Sequence, residues 1–300
     1  MQAYCTMQKF LFENALVILV LPAAYYVLWR LFRNTWRALD DEAHAWNTEH
    51  RKKGTTNFRP LAVFAIAAAV LSWQEYYGSG AFYQTHIYPW VYNLDQKFPA
   101  WMQLAKYETL YGYVWWACAL TLGYVVFPFT IWKILFPEDA LLDFGLRTRG
   151  FLQHGRIYSL YLILIVLGVV FASFQSGFVN YYPAYKLASR SWYDFLLWEA
   201  LYLPSFFALE IFFRGWWLVA LRKSLGAAAI FSMTVPYCMI HFGKPYLETM
   251  VTVMGAIALG SLSMKTKSVY QGTLLHIILA LSMDLLALAQ QGAFPTSFWP

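Results

Sequence analysis

Charge is scarce in this sequence: 13% of its 300 residues are Asp, Glu, Lys or Arg, against 60% hydrophobic and 20% aromatic. With a mean hydropathy of +0.44, that balance excludes an ordinary soluble domain and makes the bilayer the solvent. Cysteine is scarce too. Cys5, Cys118 and Cys238 are scattered, with no CxxC, so neither a disulfide framework nor a thiolate metal site is expected. No HExxH occurs, which removes the usual helical signature of a zinc peptidase. The N-terminus lacks a basic n-region and an A-x-A-like cleavage site, so the first apolar segment is expected to be a retained span. No internal repeat is strong enough to argue for a transporter built from inverted halves. The net charge of +6 raises the question of nucleic acid, but the basic residues sit in short clusters between apolar runs. Membrane topology accounts for them, and no nucleic-acid partner is expected.

What is present is a series of long apolar runs. In lipid each backbone group must be satisfied internally, and these runs are far longer than barrel strands, so the fold class is all-α and polytopic. Eight spans are expected, at about 10–29, 61–73, 111–135, 157–174, 198–217, 227–241, 247–262 and 272–289. Between them lie a polar loop from Asp40 to Pro60, an aromatic loop from Gly78 to Glu108 and a tyrosine-rich connection from Gly177 to Ser191. Fifteen lysines and arginines, from Arg30 to Lys267, then fall on one side; Lys9, Lys97, Lys106, Lys186, Arg190 and Lys244 fall on the other. The basic side is expected to be cytoplasmic, with both termini outside.

The chemistry gathers in the last third. Within WEALYLPSFFALEIFFRGWW, from Trp198 to Trp217, Glu210 and Arg214 are four apart, one turn on a single α-helical face. Ionisable groups at membrane depth are expensive enough to mark a site. Glu199 shares the face of Glu210; His241 ends the run VPYCMIH, four after Tyr237; Lys244 and Glu248 make a second i, i+4 pair; His276 and Asp284 lie two turns apart in the last span. An unpaired mid-span aspartate costs roughly 2.5–3.5 kcal/mol on insertion scales, which argues against Asp284 as filler. One carboxylate and two histidines from different helices are the parts needed to hold and deprotonate a water, with Glu210 as base oriented by Arg214, His241 and His276 around the water and oxyanion, and Asp284 supporting. The same Glu210, His241 and His276 would serve as a catalytic zinc set, though no cofactor is expected. A relay of buried charges in a proton-coupled transporter is the remaining chemical alternative.

These residues carry a resemblance. The segment EIFFRG (Glu210–Gly215), the aromatic-x-x-x-His run at Tyr237–His241 and His276 in the last helix resemble the CAAX-protease and bacteriocin-processing (CPBP, or Abi) family of intramembrane endopeptidases, over about Trp192–Gln290. MIHFGKPYLET and MDLLAL are similar to a bacterial subgroup with a single-Glu ExxxR motif. Leu209 stands where the family's EExxxR motif has its first glutamate, Tyr237 replaces the Phe of FxxxH, and Ala280 stands where a small polar residue follows the last histidine, with Asp284 one turn on. The resemblance implies peptide-bond hydrolysis within the membrane, or a catalytically silent scaffold of the same fold. It also implies residues 157–300 as the protease-like domain, residues 1–156 as N-terminal helices of unassigned role, a bacterial cytoplasmic membrane, and as partners membrane lipid and a peptide or protein with a membrane-proximal segment.

Overall fold

The computed structural model describes residues 2–93, 102–148, 154–174, 177–244 and 246–300, with the backbone alone at 2–13 and 16. Lys97, Arg149 and Pro245 therefore lie outside the described residues, as do the side chains of Cys5 and Lys9. Regular structure among the described residues is helical throughout. Eight helices of 12 residues or more order the described residues: α1 (Gln2–Lys52), α2 (Arg59–Tyr76), α3 (Glu108–Leu135, with a π segment at Leu122–Val126), α4 (Gly155–Ser173), α5 (Trp192–Leu225, with a π segment at Ile211–Trp217), α6 (Ala228–Met239), α7 (Tyr246–Thr266) and α8 (Tyr270–Gln291).

Each expected span falls on one of these helices. Five of them, α3, α4, α5, α7 and α8, are long and apolar enough to cross a membrane, while α6 is apolar but shorter. Helix α4 presents Leu160, Ile163, Leu164, Leu167 and Phe171 outward, an apolar face that only lipid would solvate. The chain is an all-α, multi-pass membrane protein.

Two expected loops are helical in part. The segment Asp40–Lys52 continues α1 without a break; it contains neither Gly nor Pro, and buried Leu39 and Ala43 supply an inward stripe that holds the polar stretch helical. Residues 80–93 form three short helical pieces, Gly80–Phe82, Tyr83–Ile87 and Tyr88–Asn93. The first begins where the Ser79 side chain accepts from Phe82 N, satisfying an amide that helix starts leave bare.

The chain divides into two compact units that interleave along the sequence: Met1–Val63 with Phe213–Lys267, and Phe64–Phe212 with Ser268–Pro300. In the first, Trp36 Nε1 donates to Ser261 Oγ at 2.8 Å and stacks edge-on with Phe231, fixing α1 to α6 and α7. Asp40 Oδ1 accepts from Ala227 N at 2.8 Å at the start of α6. Gly226 has φ +57°, and a Cβ there would strike Asp40, so this turn is closed to larger residues. In the second unit α8 packs on α4 and on the first part of α5, and α3 packs on α5 as well. Its core gathers Leu110, Tyr185, Phe195, Trp198 and Leu288.

Candidate active site

The second unit builds its polar residues up along α5. Ser191 starts the helix by accepting from Asp194 N at 3.1 Å. Asp194 in turn accepts from Ser191 Oγ at 2.7 Å, from Tyr185 Oη at 2.7 Å and from Arg190 Nε and Nη2 at 2.8 and 2.7 Å. Hydrogen bonding to Asp194 raises the Arg190 guanidinium above its ordinary range, and burial first, then Asp194, pushes the Tyr185 hydroxyl up. The entry to α5 is thereby pinned.

Farther along, α5 faces α8. Trp198 Nε1 donates to Asp284 Oδ2 at 2.7 Å between fully buried side chains, and the Glu199 carboxyl adjoins Asp284. Two turns earlier on α8, about 12 Å away by helix rise, Glu210 Oε1 lies 3.1 Å from His276 Nδ1, with Glu210 1% and His276 11% exposed. The same Nδ1 sits 3.2 Å from the Gly272 carbonyl oxygen. Phe206, one turn before Glu210, lies parallel to the imidazole with centroids 5.5 Å apart and planes at 3°. Gly272 is the position that lets the carboxylate reach α8: an added Cβ would lie 3.1 Å from Glu210 Cδ and closer still to Oε2.

In the first unit the focus is Tyr237. The Arg214 guanidinium carbon stands 3.8 Å from the centre of its ring, within cation–π range, and Phe213 meets it edge-on at 5.2 Å. His241 Nδ1 lies 2.8 Å from Tyr237 O, and its ring tilts over Tyr237 at 5.0 Å. His241 sits in the turn just beyond α6, where its carbonyl accepts from Thr249 Oγ1 at 3.0 Å. The Lys244–Glu248 pair forms as its spacing predicts, at 2.8 Å.

The structure thus joins Glu210 to His276, Asp284 to Trp198 and Glu199, and Arg214 to His241 through Tyr237. The spacing argument for Glu210 and Arg214 assumed α geometry, but the helix is π from Ile211 to Trp217, where i→i+5 bonding replaces the α turn. Among the described residues no three His, Cys, Asp or Glu gather to hold a metal. Sequence reasoning missed Gly272, Phe206 and Asp194. The signals were a glycine one turn before a histidine, and the capping pattern Ser191-x-x-Asp194.

Residues 190–282 match the family model described as Rce1-like, type II CAAX prenyl endopeptidase. This stretch is Rce1-like. It contains Glu210, Arg214, His241 and His276 and stops two residues short of Asp284. Among curated proteins and solved structures no match to the chain was found. The Rce1-like stretch begins with the Arg190–Asp194 anchor, so the matched segment opens where α5 is pinned.

Proposed function

We propose that the protein is a CAAX-type intramembrane endopeptidase that hydrolyses a peptide bond with water activated at the Glu210–His276 pair. The observation that carries this reading is a buried carboxylate 3.1 Å from an imidazole inside the Rce1-like stretch. Burying a carboxylate is costly unless it is paired, and a paired carboxylate and imidazole in a low-dielectric site are the groups that move protons efficiently. Peptide hydrolysis needs a proton taken from water, stabilisation of the tetrahedral oxyanion and a proton returned to the leaving amine. Arg214 and His241 are proposed to serve the same reaction, and Asp284 to support it by fixing Trp198 and Glu199. The substrate class is a peptide or protein with a membrane-proximal segment, and the location a bacterial cytoplasmic membrane.

The test is cleavage of a peptide library by purified protein in lipid, beside Glu210→Ala and His276→Ala. Cleavage by the wild type and its loss in both variants supports the reading. Folded wild type that cleaves nothing shifts weight to a silent scaffold, the reading that Leu209, at the position of the family's first glutamate, favours.

A further inference from the structure

Three arginines of α1 stand without a counter-charge. Arg30, Arg33 and Arg37 are exposed, and none of them forms an ion pair or a side-chain hydrogen bond with another described residue. At about 100° per residue they fall within an arc of roughly 60°, spread over about 10 Å of helix rise. Leu28, Phe32, Trp36 and Leu39, all buried, occupy the other side of the helix, so the arginine stripe faces away from the core of its unit. Like charges three and four residues apart on a helix repel one another, and an anion bound across the stripe relieves that repulsion. The acids that follow do not supply it. Asp40 accepts from Ala227 N and Glu42 faces Arg222 at 3.5 Å, while Asp41, exposed one turn beyond Arg37, marks the end of the stripe.

What precedes the stripe points to the kind of anion. Ile18, Leu19, Val20, Tyr26 and Val27 are 47–72% exposed, a run of apolar surface that acyl chains solvate and water does not. Tyr26 and Trp29, with ring centroids 5.9 Å apart, are the residue types that gather at headgroup level. The Arg33 guanidinium carbon lies 5.8 Å from the centre of the Trp29 ring, which ties the first turn of the stripe to that aromatic boundary. The helix thus passes from lipid-compatible surface to arginine between Trp29 and Arg30, and a guanidinium offers phosphate a planar fork of donors. We propose that the Arg30–Arg33–Arg37 face of α1 binds the phosphate of an acidic phospholipid whose acyl chains lie along the exposed apolar run before it. A soluble polyanion has nothing to place against that run. The interaction holds whether or not the chain cleaves peptides.

The test places a photoreactive benzophenone side chain at Asn34, which is exposed on the arginine face, in the full chain reconstituted into bilayers of equal phosphatidylglycerol and phosphatidylcholine at low salt. Illumination joins that side chain to its neighbour, and mass spectrometry identifies the lipid. Phosphatidylglycerol adducts should exceed phosphatidylcholine adducts by about 5-fold, the factor that about 1 kcal/mol represents for a basic group at the membrane surface. The excess should fall to the mixing ratio in the triple variant Arg30→Gln, Arg33→Gln, Arg37→Gln and persist when the same three become lysine. Arg51→Gln with Lys52→Gln, about 20 Å farther along α1 and beyond a Debye length, should leave it unchanged. Adducts at the mixing ratio without any arginine substitution overturn the proposal, and so does an excess that survives the triple Gln variant. Raising salt to about 0.5 M should shrink the excess with all three arginines in place, so an excess indifferent to salt overturns it without reliance on a variant that folds. In native membranes, adducts to a polypeptide or a nucleic acid in place of lipid overturn it as well.

Discussion

Replacing Gly272 by alanine is the most demanding perturbation the site offers. In a helix interior that exchange ordinarily stabilises by about 1 kcal/mol, because glycine loses the most backbone freedom on folding. At Gly272 the new Cβ would sit 3.1 Å from Glu210 Cδ and nearer than that to Oε2, inside normal contact. Overpacking of a closed site costs about 1–3 kcal/mol, so the two effects nearly offset and net stability falls by about 0–2 kcal/mol. Activity is more sensitive, since the carboxylate must retreat by about 1 Å, a displacement that can lower rates about 100-fold. The assay is peptide cleavage in lipid together with thermal unfolding. Gly255→Ala on α7 and Gly168→Ala on α4 serve as controls, because a Cβ at either meets nothing within 4 Å. Gly272→Ala enzyme that cleaves at the wild-type rate would refute the close approach of Glu210 to α8 and the catalytic pairing built on it.

Phe206→Leu keeps an apolar side chain but removes the ring parallel to His276; cleavage should fall about 10-fold with stability down about 0.5–1.5 kcal/mol, the usual worth of an aromatic pair, read by rate and Tm. Asp284→Leu leaves the buried Trp198 indole N–H without its 2.7 Å acceptor, which should cost about 1–3 kcal/mol and shift Trp198 fluorescence; an unchanged Tm would refute it. Asp194→Ala strips the acceptor from Tyr185, Arg190 and Ser191 together and should cost about 3–5 kcal/mol, measured by thermal unfolding in detergent. Chelator should leave cleavage unchanged, since no three-ligand set is assembled among the described residues; loss on chelation restored by zinc would return the metal reading.

The helices were legible because lipid leaves the backbone one economical solution, and five of the eight expected spans fall on helices long and apolar enough to cross a membrane. Glu210, Arg214, His241, His276 and Asp284 stand out in the sequence because a polar group in an apolar run announces its cost. Their partners were not. That Glu210 meets His276, and that Asp284 turns instead to Trp198, depends on how α5 and α8 face one another. No spacing within either helix encodes that register. The π segment at Ile211–Trp217 escaped for a related reason: composition favours a helix but does not say which carbonyl each amide will choose. The polar stretch Asp40–Lys52 was misread as a loop because polarity was weighed above the absence of helix breakers. Its buried Ala43 and the Asp40 bond to Ala227 are tertiary facts.

That uninterrupted α1 changes how the basic side of the membrane should be pictured. At 51 residues it is about 76 Å long, against a hydrocarbon layer of about 30 Å. Arg51 and Lys52 therefore ride on the far end of a continuous helix, beyond its interior Pro22, tethered to the α5–α6 turn by Asp40 and by Asn47, which donates to Ser224 O at 2.9 Å. A flexible loop spreads its charge over many positions, whereas a helix fixes the spacing of its charges along one axis. Basic residues near the membrane surface contribute about 1 kcal/mol each and lose it within a Debye length. For basic residues carried on such a helix, attraction to acidic lipid is a matter of geometry as much as of charge count.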